Sequence, residues 1–409
     1  MVCMRLVSPP RPPKRSRRRL RLGYILLALL LVMGGTTANA LRPLPAANVH
    51  LTLPTSVDAQ SLQLQWPAAG QAAIAADGYG LLATHGDQTP IATASIAKIV
   101  TTLCVLQKFP LSVGQSGPTL TFTAQDAAYY QYQVAQGGSS VPVHEGDQMT
   151  EYDALEAMLL PSANNIADSL ATWAFGSLSN YALYANNYVL RHGLTHTHIG
   201  NDASGYDPST VSTAADLAKL GLIAQTNPVI MSIAGQKTAT IPNIGVVDNY
   251  NTVLGINNIN GLKTGNNDQD MGALLFTATI EVAGKPIAIS GAVMGQSSLQ
   301  NALTASTQLV GSISTNFEPY TYIKKGQTIG TATTAWGTRV PIKTTSAAQL
   351  LRWRGDAITV VQSVHTTTAA KLGAIGILDV VAGPIQTTVP LALDNSASPP
   401  NYWWRATRL

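Results

Sequence analysis

Ser95 and Lys98 stand three residues apart at the head of an apolar series, Ile96, Ile99, Val100, Leu103 and Leu106. That series recurs at helical spacing, so a helix is predicted to begin at Ser95. Residues three apart are neighbours on one helix face, which sets a hydroxyl beside an amine. The orphan backbone N–H groups of a helix N-terminus favour developing negative charge at the same place. Such a pair makes a serine nucleophilic without histidine, the amine taking the proton. The lysine must then be neutral. Bringing its pKa from about 10.4 to roughly 7–8 requires destabilising the ammonium by about 4 kcal/mol. Burial and a second nearby cation are the available means. A lone Ser-x-x-Lys also fits a helix cap beside a snorkelling surface lysine, so the rest of the chain has to decide.

Two further stretches bear on it. Pro161-Ser162-Ala163-Asn164 offers a hydroxyl and a carboxamide two residues apart at a predicted helix start. They could relay a proton and orient a lysine, although serine after proline is also a common cap, and a second Ser-x-Asn occurs at Ser314 and Asn316. Gly261-Leu262-Lys263-Thr264-Gly265 precedes a predicted strand over Gly272–Val282. There a lysine and a hydroxyl could grip a carboxylate, and Gly265 would admit close backbone approach. A turn with an incidental lysine fits as well. The chain has one serine three residues before a lysine and one Lys-Thr-Gly, and they flank Ser162 and Asn164 in sequence.

With S-x-x-K, S-x-N and K-T-G in this order, the chain resembles the penicillin-recognising serine enzymes. It looks most like their low-molecular-mass penicillin-binding D-alanyl-D-alanine carboxypeptidases. Glu145–Thr150, Leu160–Asn165 and Ser212–Leu217 strengthen that likeness, which covers residues 65–315. The resemblance implies a β-lactamase/transpeptidase-like catalytic domain. It makes Ser95 the nucleophile that forms an acyl-enzyme with a peptide ending in D-Ala-D-Ala, and Lys98 its general base. It gives Ser162 proton transfer to the leaving amine, and Asn164 the holding of Lys98 and substrate. Lys263 and Thr264 would bind the terminal carboxylate, Lys263 also helping to depress Lys98. The backbone N–H groups of Ser95 and Asn266, beside Gly265, would form the oxyanion hole. β-Lactams would acylate the same serine. Two positions depart from the pattern: Asn267 stands where threonine is common, and Asn165 where aspartate is frequent.

Positioning these residues requires an α+β fold. Gln71–Ala76 and Gly80–Thr84 read as a hairpin about Asp77-Gly78. Gly272–Val282 and Ile287–Met294 read as strands about a Gly284-Lys285 turn. Helices are expected from Ser95, over Glu151–Leu160, from Ser162 to about Phe175, over Tyr181–Arg191, after a Thr213/Asp216 capping box, and over Leu299–Val310. Strands at both ends with helices between imply an antiparallel sheet covered by a helical cluster. Thr119–Val143, rich in Gln, Tyr and Gly, reads as a loop-rich excursion over the site. The expected organisation is a leader over 1–40, a lead-in linker over 41–65, a catalytic domain over 66–316, a small all-β domain over 318–397, and an aromatic, basic tail over 398–409.

The first forty residues hold eight bases and no acids ahead of the uncharged run from Leu22, and end Ala38-Asn39-Ala40. That is the form of a signal peptide cut after Ala40, although Leu22–Leu41 is also long enough to remain as an anchor. Of 25 Lys+Arg and 21 Asp+Glu, removing eight bases leaves 17 against 21, a net charge of −4 that argues against a nucleic-acid partner. An exported bacterial envelope protein is expected, with membrane contact open to residues 22–40 or the tail. Cys104 reads as a small buried hydrophobe, and no metal or cofactor is implied. A class A-like β-lactamase uses a glutamate between the second and third motifs, and none occurs from Ser162 to Lys263. A transpeptidase or endopeptidase on the same polymer stays open. So does an envelope protein that binds β-lactam or peptidoglycan with little turnover.

Overall fold

The computed structural model describes residues 15–267, 271–365 and 373–408, the side chains of residues 15–17, Asn267 and Met271 excepted. Its central element is an antiparallel five-stranded sheet in the order Ile259–Asn267, Met271–Val282, Lys285–Gln296, Gln71–Ala76, Gly80–His85. Alternate side chains serve two cores. Ala73, Ala75, Leu275, Ala292 and Met294 face the helical cluster. Ala72, Ile74, Leu274, Phe276, Ile289 and Val293 face the closing helix on the other side. Gln71–Ala76 is buried along its whole length because both faces are covered.

Ten helices appear among the described residues: α1 (Arg15–Leu41), α2 (Lys98–Lys108), α3 (Ala124–Ala135), α4 (Glu151–Leu159), α5 (Asn164–Phe175), α6 (Leu178–Arg191), α7 (Ala214–Gln225), α8 (Pro228–Ala234), α9 (Leu299–Ile313) and α10 (Tyr402–Thr407). Gly221 on α7 lets that helix lie against the sheet, since a Cβ there would stand 1.9 Å from Ser290 Oγ. Cys104 is a buried free thiol inside α2.

Several expectations need correction. Thr119–Val143 contains a strand, Thr119–Thr121, and helix α3, whose start is fixed by a capping box between Thr123 and Asp126. Its residues are polar because it buries polar contacts, Asp126 and Gln133, and no apolar stripe announces it. The turn between the two long strands is Ala283-Gly284, one residue earlier than expected; both residues have positive φ, 51° and 74°, as a two-residue hairpin of matching twist requires. Ser162 does not cap a helix: it sits at φ 63°, two residues before α5. Thr213 caps α7 through Asp216 N–H, but the Asp216 carboxylate turns to His196 N–H instead of closing the box.

Behind the sheet the chain forms a second, all-β unit. Its seven-stranded sheet runs Asn48–Leu51, Thr328–Thr333, Arg339–Thr344, Ile385–Leu393, Ala374–Ala382, Ile358–Val364, Ser56–Val57. Residues 41–65 are therefore not a free linker. Two short pieces of them close both edges of this sheet, covering backbone groups that would otherwise be left open. Strands this short carry too little alternation to be read from sequence.

Candidate active site

Ser95 lies in a 3-10 turn, Ala94–Ala97, which runs straight into α2. The turn arises because Ala94 is held at φ 46°. Gly205, itself at φ 73°, packs so closely that a Cβ would stand 2.0 Å from Ala94 O. The strand Ile259–Asn267 presses on the same turn: a Cβ at Gly265 would come within 2.9 Å of Thr93 O and 3.2 Å of Ile96 Cγ1. Gly265 therefore does what its place after Lys-Thr suggested. It lets the third motif meet the first.

Lys98 is fully buried. Its Nζ lies 2.7 Å from Ser95 Oγ, 2.7 Å from Asn164 Oδ1 and 3.1 Å from Ser204 O. Burial lowers its pKa to about 7, against the upward pull of Asp202 and Asp168. The contacts fit a neutral amine. Asn164 Oδ1 and Ser204 O are acceptors only, so they take its two N–H groups, and its lone pair is left for the Ser95 O–H. In that state the hydroxyl donates to the lysine, which is the direction the proton must travel.

Lys263 is buried too, and its pKa is held well below the usual lysine value, by burial first and then by repulsion from Lys98. The sequence reading gave Lys263 a share in depressing Lys98. Burial is the chief cause that lowers Lys98, and the repulsion between the two amines falls on Lys263. Lys263 Nζ lies 3.3 Å from both the carbonyl and the hydroxyl oxygen of Thr264. Ser162 is 3% exposed, and among the described residues its hydroxyl makes no hydrogen bond to Lys98 or Lys263.

Asn164 is oriented from behind. Its Nδ2 donates to Gln133 Oε1 at 2.9 Å, and its backbone N–H donates to Ser139 O at 2.8 Å. The first bond fixes the amide so that Oδ1 faces Lys98. Gly138 makes room for it, since a Cβ there would stand 2.2 Å from Gln133 Oε1. Asn165, fully buried, both accepts from Val141 N–H and donates to Val141 O. An ionised aspartate could only accept, so asparagine suits this chain's own loop. The departure at Asn267 concerns a side chain outside the described residues.

The three motifs open on a cavity of about 340 Å³ lined by Ser95, Gly138, Ser139, Asn164, Tyr206 and Asn266, among others. Thr264, two residues before Asn266, is buried. Sequence reasoning missed Gln133, and it missed the segment that carries Ser204 O to Lys98. That segment turns about Asp202, whose carboxylate accepts from Ser204 Oγ and the N–H groups of Gly205, Tyr206 and Asp207. Asn201-Asp202-Ala203-Ser204-Gly205 was legible as a turn by composition alone. Asp168 completes this buried group, accepting from Ala203 N–H, and burial beside Asp202 raises its pKa to about 7.

These features have counterparts in known proteins. The chain is 30% identical over 215 residues to the D-alanyl-D-alanine carboxypeptidase DacC of Escherichia coli, covering 51% of this chain and 50% of that one. It is 26% identical over 301 residues to DacD of Salmonella typhimurium, covering 72% and 75%. The chain thus spans about half the length of DacC. A mutant of a Streptomyces DD-transpeptidase superposes with a TM-score of 0.53 at 25% identity, covering 60% of this chain and 97% of that one. Penicillin binding protein 5 of Haemophilus influenzae shares the fold, with a TM-score of 0.57 at 18% identity over 82% and 98%. Residues 60–298, well over half the chain and containing all three motifs, match the D-alanyl-D-alanine carboxypeptidase family, and the protein belongs to it.

Proposed function

We propose that the protein is a serine-type D-Ala-D-Ala carboxypeptidase that removes the terminal D-alanine from peptidoglycan stem peptides. The catalytic unit would be residues 66–316, with the β unit of 318–397 and its two N-terminal edge strands behind it. One observation carries the reading: the fully buried Lys98 amine has two acceptor-only partners, and its remaining contact is the Ser95 hydroxyl. Ser95 Oγ passes its proton to Lys98 Nζ and bonds to the penultimate carbonyl carbon. The backbone N–H groups of Ser95 and Asn266 hold the oxyanion. When the intermediate collapses the C–N bond breaks, and the leaving amine receives a proton from Lys98 by way of Ser162. Water then hydrolyses the ester, with Lys98 again taking the proton.

Lys263 and Thr264 grip the terminal carboxylate. Burial holds the Lys263 pKa below the usual lysine value, and an arriving carboxylate beside it favours the charged amine. A β-lactam carries a carboxylate in the same relation to its reactive carbonyl and acylates Ser95. The substrate places the site on the outer side of the cytoplasmic membrane, which the basic head of α1 favours. Release of D-alanine from a pentapeptide ending in D-Ala-D-Ala, by wild type and not by Ser95→Ala, tests the reading. Covalent labelling by a penicillin without such release would favour a binding protein with little turnover. Transfer to an added amine in preference to water would favour a transpeptidase.

A further inference from the structure

Helix α1 is apolar and almost wholly exposed: Leu22 is 62% and Leu31 68% accessible. The stretch Arg18–Leu41 runs 24 residues, about 36 Å at 1.5 Å per residue, enough for a hydrocarbon core of about 30 Å. Its bases all lie at the N-terminal end. Near its C-terminal end three residues are shielded, Thr36, Asn39 and Ala40, spaced as one helical face. What covers them is α10. Asn39 Nδ2 donates to Ala406 O at 3.0 Å and to Arg408 O at 2.7 Å, while Arg408 Nη2 donates to Asn39 O and Arg42 O. Helix α10 is in turn fixed to the β unit: Trp404 stands edge-on to Trp336 at 5.6 Å, and Trp336 Nε1 donates to Ser398 O. Tyr402 and Trp403 are left 55% and 74% exposed.

We infer that α1 is retained as a membrane anchor, clasped at its outer end by α10, and that Tyr402, Trp403 and Arg405 rest in the lipid headgroup layer. Three facts meet here. Ala38-Asn39-Ala40, the sequence that would be cut from a secreted protein, is helical, and Ala40 is buried, whereas proteolytic nicking concentrates at exposed loops. A spanning helix that ends at Leu41 brings α10 to the interface. There tyrosine and tryptophan are enriched, and arginine meets anionic lipid. The occupant is therefore a lipid surface. The path from Asn39 through α10 and Trp336 ties the β unit to the bilayer and would stand even if the enzymatic reading failed.

The test uses the full chain expressed in a bacterium with its N-terminus intact. The clasp predicts a membrane-pellet protein after alkaline wash whose intact mass includes α1; a soluble protein beginning at Leu41 would overturn it. In the double variant Asn39→Ala, Arg408→Ala a form beginning at Leu41 should appear. Its absence would overturn the protective role given to α10. For the headgroup contact, the protein is reconstituted in phosphatidylethanolamine–phosphatidylglycerol vesicles whose acyl chains are brominated near the headgroup. Tryptophan fluorescence should be quenched, and Trp403→Phe should remove most of that quenching while leaving D-alanine release unchanged. Equal quenching with and without Trp403 would overturn the contact.

Discussion

Asn164→Asp exchanges an amide for a carboxylate of the same shape, 2.7 Å from Lys98 Nζ. With Lys98 titrating at about 7, about three-quarters of the molecules hold it neutral at pH 7.5. Two unit charges 4 Å apart attract by about 4 kcal/mol at an effective dielectric of 20. Burying the new carboxylate offsets part of this, leaving roughly 2–3 kcal/mol in favour of the ammonium. At 1.36 kcal/mol per pH unit, that carries the midpoint from about 7 to about 9. At pH 7.5 the neutral fraction falls to about 3%, so acylation slows about 25-fold. Gln133 can turn its amide and offer Nε2–H to the new carboxylate, which keeps the surroundings satisfied. The assay is the rate of acylation by a fluorescent penicillin from pH 6 to 10. The wild-type rate should rise through pH 7, since deprotonating Lys98 creates the base. The variant should reach a similar plateau about two pH units later. A variant slow at every pH with its midpoint unmoved would refute the account, because Asn164 would then act by geometry alone.

Other consequences are simpler to measure. Gln133→Leu leaves the buried Asn164 Nδ2 without an acceptor and frees the amide to turn, so acylation should fall about tenfold or more. In the Asn164→Ala background the same change should have little further effect, and fully additive losses would show that Gln133 acts elsewhere. Asn165→Asp removes the donor to Val141 O and should cost about 1–3 kcal/mol in denaturant unfolding; equal stability would contradict the two-way bond described above. Glu151 is fully buried with neither oxygen bonded among the described residues, and burial raises its pKa to about 7. A carboxyl raised in the folded state stabilises the protein below its unfolded pKa, and that stability is lost as pH rises from about 4.5 to about 7. Glu151→Gln should therefore gain melting temperature relative to wild type at pH 8 and not at pH 4, and parallel pH profiles would contradict the assignment.

The motif residues were readable because each does chemistry that few residue types can do. Ser95, Lys98, Asn164 and Lys263 carry it in their own side chains. What was not readable is what orients them. Gln133 sits on a helix with no apolar stripe, and its partner lies 31 residues away, so no local pattern marks it. Ser204 acts through its carbonyl, which every residue possesses. Ser162 reads as a cap because capping statistics describe ordinary helix starts, whereas its positive φ is imposed by the packing around it. The strand Gln71–Ala76 and the long hairpin were legible because short apolar runs bounded by turn residues are a local signal. The edge strands of residues 41–65 were not, since their partners lie almost 300 residues downstream. The clasp between α1 and α10 was hidden for the same reason: nothing in either segment names the other.

The central claim is that the Ser95 hydroxyl, relieved of its proton by a neutral Lys98, is the atom acylated. Intact mass before and after benzylpenicillin tests it most directly, on wild type, Ser95→Ala and Lys98→Met. The account predicts one added benzylpenicilloyl group on wild type, none on Ser95→Ala, and a far slower addition on Lys98→Met. An adduct that persists on Ser95→Ala, or that forms at the wild-type rate without Lys98, would contradict it.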